Sequence, residues 1–189
     1  MRAMARVPLP TRAEYPEEHR ATYDRMLRER GDPAPHVWLA LANMPNLLPA
    51  LLDLTGEMRR GAMLPARLRE LAVVMTARAA GSAYEFARHW NAALRAGARR
   101  EQLAAIEEAQ DLSALLESPL FDPAERAVLA YALEATQRIK VADATWASVR
   151  AAFTLREAMD LVMTVAWYNA VARINGPLAI ELEPWFRRD

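Results

Sequence analysis

The 189-residue sequence predicts an all-α fold of about eight helices. Two observations carry this. No stretch alternates apolar with polar residues, or concentrates β-branched residues, as a strand would. Helix starts and stops, by contrast, recur along the chain: Pro, Ser, Thr or Asp before a periodic apolar run, and Gly after it. The length suits one domain, and a domain of this size buries roughly 70% of the surface of its unfolded chain.

Residues 1–16 carry Pro8, Pro10 and Pro16 with little periodicity and read as an extended N-terminal arm. Such arms often lie across a neighbouring subunit. The helical domain then spans 17–180. Its first helix opens on Pro16 as first helical residue, carries Glu17 and Glu18 in the positive first turn, and stops at Gly31. After the linker GDPAP, a short helix near 36–43 precedes one from about Asn46 to Arg60, ended by Gly61. The next runs from Pro65 to Gly81. Ser82 caps its successor, which ends near Gly97, so 65–97 forms a central helical hairpin. A helix follows at about 99–109. Asp122-Pro-Ala-Glu125 is a capping box that opens a helix to about Arg138, Asp143 caps one to Phe153, and Thr154-Leu-Arg-Glu157 is a second capping box. The helix it opens runs to about Asn175, where Asn-Gly-Pro stops it. Residues 181–189 form a C-terminal tail.

Composition excludes several functions. Cysteine is absent, so disulfides, thiolate metal sites and thiol redox chemistry have no residue to use. The 24 basic and 24 acidic residues balance, which gives no field for nucleic acid or an anionic membrane, and neither partner is expected. The N-terminus lacks an apolar signal core, and the longest nearly apolar stretch, Leu161–Ile174, contains Thr164 and Asn169 and falls short of the ~20 residues that span a bilayer. A cytoplasmic location is the expectation.

The central hairpin holds the unusual residues. At ~100° per residue, Ala83, Phe86, Ala87, Trp90 and Leu94 make one apolar face of its second helix, and Arg88, Asn91 and Arg95 make the solvent face. Glu85 and His89 fall on a third row with Ala92 and Ala96. Small neighbours there allow close approach of another helix or leave room for a ligand; the bland alternative is a surface i, i+4 ion pair worth ~0.2–0.5 kcal/mol. On the first helix, Glu70 shares its side with Val73, Val74 and Ala77, so the helix is apolar nearly all round and buried on both sides. Desolvation would raise the Glu70 pKa towards the range useful for acid–base work, whereas an ion pair with Arg67 or Arg78 would keep it low. His19 and His36 have no assigned role. A zinc site is not expected, because two carboxylates and one histidine lack a second, suitably spaced histidine.

The stretch PARLRELAVVMTARAAGSAYEFARHWNAALRAG, with its Arg-Glu-Leu opening at 69–71, Gly81, Tyr84-Glu85, His89 and Gly97, resembles the carboxymuconolactone decarboxylase and AhpD-like alkylhydroperoxidase superfamily. Trp146, Phe153, Leu161, Tyr168-Asn169 and Arg173 are similar to the pattern of larger members. In the peroxidase branch, the resemblance implies a Cys-x-x-Cys pair where Ser82 and Glu85 stand, with Glu70 and His89 at the proton-relay positions. Without cysteine that cycle is closed. The chain is more similar to the cysteine-less, decarboxylase-like branch. That resemblance implies an AhpD-like helical bundle, homo-oligomeric as a dimer, trimer or hexamer, with the pocket close to a subunit interface. It also implies a lyase that needs no cofactor and acts on a small-molecule carboxylate or lactone substrate. The catalytic residues it implies are Glu70, Glu85 and His89. Ser82, Tyr84, Trp90 and Tyr168 are the substrate-contact candidates: Tyr84 and Tyr168 through their hydroxyls, Trp90 and Trp167 as walls. A non-catalytic small-molecule-binding or oligomeric partner protein on the same fold is the competing reading, supported by the lack of a clear carboxylate-binding arginine in the motif.

Overall fold

In a computed structural model, residues 5–189 are described; the first four residues of the arm lie outside them. Among the described residues there are nine α-helices, two short 3-10 helices and no strand. The helices are α1 (Arg20–Arg30), α2 (His36–Leu41), α3 (Leu48–Arg60), α4 (Ala66–Ala79), α5 (Ala83–Arg95), α6 (Arg100–Glu108), α7 (Pro123–Arg138), α8 (Asp143–Ala152) and α9 (Leu155–Leu178). The all-α prediction is borne out. Among the described residues, no helix is long and apolar enough to cross a membrane.

The chain divides into two compact units. The smaller comprises residues up to Arg60 together with Ile174–Arg187. Its core is Tyr15, Tyr23, Met26, Leu48 and Leu52, with the Tyr15 and Tyr23 rings 4.9 Å apart. The arm is tied down within this unit: Tyr23 Oη donates to the Pro10 carbonyl (2.8 Å), Asn43 Nδ2 to that of Pro8 (2.8 Å), and Arg6 N to that of Leu178 (2.9 Å). Glu183 from the tail is buried and accepts the His36 backbone N–H at 2.7 Å. This serves a helix start that has no side-chain cap of its own. A cavity of about 470 Å³ in this unit is lined by residues that include Pro8, Pro10, Tyr15, Asn43 and Pro45.

The larger unit, Gly61–Arg173 with Arg188–Asp189, holds the central hairpin. Every residue of α4 from Leu71 to Ala77 is buried, as its all-round apolar sequence requires, because α5 packs on it from one side and α7 from another. Leu71, Met75, Leu103, Ile106, Leu129 and Leu161 are fully enclosed in this core. The hairpin turns on Gly81, which takes φ +69°, a conformation favourable only to glycine. The Ser82 N–H bonds to the Ala77 carbonyl (2.8 Å) and the Gly81 N–H to that of Arg78 (3.2 Å), closing α4 in a Schellman motif.

The expected capping box at Asp122 is present: Asp122 Oδ1 accepts the Glu125 N–H at 2.8 Å, and Glu125 Oε2 accepts the Asp122 N–H at 2.9 Å. The box at Thr154 is present too, with Glu157 Oε2 accepting both the Thr154 N–H and its hydroxyl.

Other local expectations need correction. Ser82 occupies the N-cap position of α5, but its side chain makes no capping bond. A 3-10 turn, Glu17–His19, precedes α1, so Pro16 sits ahead of the helix rather than at its first position. The 3-10 helix at Leu112–Glu117 was not foreseen. Asn-Gly-Pro does not stop α9, which runs through Pro177 to Leu178. Proline already has a helical φ, and in a final turn where Gly176 and Pro177 are exposed the lost N–H costs little.

Candidate active site

Glu85 and His89 are one turn apart on α5, and Glu70 reaches them from α4 across the hairpin. His89 Nδ1 lies 2.7 Å from Glu70 Oε2, and His89 Nε2 lies 3.5 Å from Glu85 Oε2. Both ring nitrogens therefore face carboxylates, one through a short hydrogen bond and one through a looser ion pair. The three side chains are largely shielded: His89 is 16% exposed, Glu70 18% and Glu85 5%. Tyr168 of α9 completes the group, its ring 4.6 Å from the imidazole and at 80° to it.

This geometry decides what the sequence left open. The nearer partner of His89 is Glu70, nineteen residues away, and not its i, i+4 neighbour. Neither arginine proposed as the Glu70 partner serves it. Arg67 pairs with Glu125, while Arg78 donates to the carbonyls of Glu107 (3.1 Å) and Ala109 (2.9 Å).

The electrostatics follow. Burial alone would raise the Glu70 pKa. The charge of His89 and its hydrogen bond outweigh burial, with Arg69 and Arg95 adding to them, and hold the carboxyl below its ordinary range. Burial would likewise depress His89, but the Glu70 charge and hydrogen bond, then the Glu85 charge, outweigh it against opposition from Arg88, and the imidazole is raised above its ordinary value. The expectation of a carboxyl raised by burial is thus corrected: His89, and not an arginine, holds Glu70 below its ordinary range, and Glu70 in turn raises His89.

The other sequence candidates are placed as follows. Tyr84 is buried in the first turn of α5, beside Glu85, and Ser82 sits at the partly exposed turn before it. Trp90 is 4% exposed within the core cluster. Its indole N–H donates to the Asp189 carbonyl (3.1 Å), and the Arg188 guanidinium lies 3.6 Å from its ring centre. Trp90 therefore serves packing and the tail. Asn91, expected on the solvent face, is buried and accepts the Asp189 N–H at 3.0 Å. Arg188 is further anchored by a forked ion pair to Glu107. Among the described residues, no group of three or more His, Asp or Glu side chains is arranged to hold a metal ion; the carboxylates here bind the imidazole itself.

Fold and site together define an all-α protein with an AhpD-like fold and a Glu–His–Glu cluster on its central hairpin. Residues 45–134 match the model of the Carboxymuconolactone decarboxylase family, in agreement with the resemblance read from the sequence. No curated protein matches the chain. Among solved structures it is similar to an uncharacterized peroxidase-related protein with an AhpD core from Ralstonia eutropha JMP134 (22% identity, 96% of this chain and 94% of the other, TM-score 0.78). It is also similar to an uncharacterized peroxidase-related protein from Silicibacter sp. TM1040 (18%, 95% and 92%, TM-score 0.77). The debrominase Bmp8, solved as a variant in complex with 2,3,4-tribromopyrrole, is similar as well (19%, 93% and 90%, TM-score 0.74). At these identities the likeness is one of fold.

Proposed function

We propose that this protein is a carboxymuconolactone decarboxylase-like lyase that works without a cofactor, using Glu70, Glu85 and His89 as acid–base groups on a small carboxylate or lactone substrate. The observation that carries the reading is the imidazole of His89 held between two shielded carboxylates. Glu70 fixes Nδ1 and stabilises the imidazolium, which leaves Nε2 as the working atom. The Nε2–Glu85 contact is long enough for a substrate atom to enter beside it without breaking the short Glu70 bond. As the carboxylate–carbon bond breaks and carbon dioxide leaves, the electron pair is delocalised into the conjugated lactone. The resulting carbanion takes the Nε2 proton, and Glu85 guides the proton that replaces it from water. A thiol peroxidase cycle is not proposed, because the chain supplies no cysteine.

Turnover of a panel of small lactone acids and β-unsaturated carboxylates tests the reading. His89→Ala is expected to lower kcat by about 10²–10⁴-fold, the range of general acid catalysis, and Glu85→Gln by a smaller factor. Equal rates in wild type and both variants would remove these residues from the mechanism. Saturable binding without turnover in any arm would favour a binding protein instead.

We also propose that the chain forms homo-oligomers. Leu155, Met159 and Met163, spaced four apart on α9, are 60%, 43% and 42% exposed. Met63, whose backbone N–H bonds to Asp160 of the same helix, is 65% exposed. Large apolar side chains grouped in this way mark interaction surfaces.

A further inference from the structure

As a sequence candidate, Tyr168 offers a hydroxyl that touches substrate. The structure places its ring, rather than only its hydroxyl, in the site. The imidazole of His89 is held strongly at one point, Nδ1 on Glu70 at 2.7 Å, and weakly at another, Nε2 beside Glu85 at 3.5 Å. One short bond acts as a hinge: the ring can turn about it and carry Nε2 away from the place where it must deliver a proton. A third contact removes that freedom, and it comes from a third helix. The Tyr168 ring stands at 80° to the imidazole with centroids 4.6 Å apart, inside the range in which edge-to-face pairs attract.

We propose that the aromatic ring of Tyr168 is a positioning residue for His89, keeping Nδ1 on Glu70 and Nε2 towards Glu85, and that its hydroxyl is dispensable for this. The inference deepens the reading of the same site, but it concerns the ground state of the imidazole and is tested without turnover. The two can therefore fail separately. Holding Nδ1 on Glu70 also favours the protonated ring, because the Glu70 charge and hydrogen bond raise the proton affinity of the imidazole. The charges that act on the imidazole cluster are Glu70, with Arg69 beside it on α4, and Glu85, Arg88 and Arg95 on α5.

The chain has three histidines, so the imidazole nitrogen spectrum has three sets of signals, from His19, His36 and His89. In ¹⁵N-detected pH titrations, Tyr168→Leu is expected to lower the His89 midpoint by about 0.5–1 pH unit, a three- to tenfold change in proton affinity, as the Glu70 contact loosens. It should also move the Nδ1 proton resonance upfield and broaden it as the Nδ1–Glu70 hydrogen bond loosens. Tyr168→Phe is expected to keep both at wild-type values. His19 and His36 serve as fold controls, and Tyr168→Met replaces the Leu variant if the latter loses helical circular dichroism. A Phe variant that behaves like Leu would assign the effect to the hydroxyl and overturn the proposal. A Leu variant indistinguishable from wild type would show that the ring does not position His89.

Discussion

At the scale of single residues, the Glu70–His89 pair links stability to pH with a definite sign. The folded pKa of His89 lies above its ordinary value of 6.5, so its contribution is complete below 6.5 and is lost as pH rises through the raised value. The folded pKa of Glu70 lies below its ordinary 4.5, so its contribution is complete above 4.5 and is lost as pH falls through the lowered value. The pair therefore stabilises most between about pH 4.5 and 6.5. As pH rises above about 6.5, wild type should lose more melting temperature than His89→Gln does; parallel curves for the two proteins would contradict the assignment. At about pH 6, Glu70→Gln should cost about 1.5–3 kcal/mol, the worth of a shielded hydrogen bond to a charged partner, measured by urea unfolding. The sequence made these residues visible because a glutamate nineteen positions before a histidine spans the hairpin. It did not show which group answers Glu70, since Arg67 and Arg78 are as close along the chain and only packing sends them to Glu125 and to the α6 carbonyls.

At the scale of elements, the helix ends share one device. Gly81 and Gly97 both take positive φ, and at each the next N–H reaches back to a carbonyl five residues earlier: Ser82 to Ala77 and Ala98 to Ala93. The end of α9 is built the same way, Ile180 N–H to Asn175 at 3.0 Å and Ala179 N–H to Gly176 at 3.1 Å, but the residue at φ +51° is an alanine. An L side chain is strained there, so Ala179→Gly should raise stability by about 0.5–1 kcal/mol, net of the extra freedom glycine has when unfolded. Gly81→Ala should lower it by a similar amount. Thermal unfolding of the two variants would refute this if the signs agreed. The start of α7 makes a stronger prediction. Glu125 is buried and serves the Asp122 N–H, the Gln102 amide (2.9 Å) and Arg67 at once. Glu125→Ala removes all three bonds, leaving Gln102 the Leu120 carbonyl and Arg67 the Asp122 carboxylate, and should cost about 1.5–3 kcal/mol in urea unfolding; a loss below about 1 kcal/mol would reduce it to a surface cap. Caps of this kind are local and were legible. The burial of Asn91 was not, because it depends on Asp189, nearly a hundred residues away in sequence.

At the scale of the whole molecule, equal numbers of acidic and basic residues leave no net field to keep copies apart, and the α9 row of Leu155, Met159 and Met163 supplies an apolar surface for them to share. Helical periodicity could show that these residues line up. It could not show that they face outward, since an apolar row on a long helix is core in most folds, and here the inward row is Ala158, Leu161 and Val165. If the outward row is buried between copies, a charge placed on it must either break the assembly or be desolvated at a cost of several kcal/mol. Met159→Glu with Met163→Glu should therefore lower the mass measured by light scattering to that of one chain. The helical circular dichroism should be unchanged, because both side chains lie outside the core of their own unit. An unchanged mass would move the interface elsewhere. A monomeric wild type would remove the oligomer altogether and leave the row as exposed surface that favours aggregation.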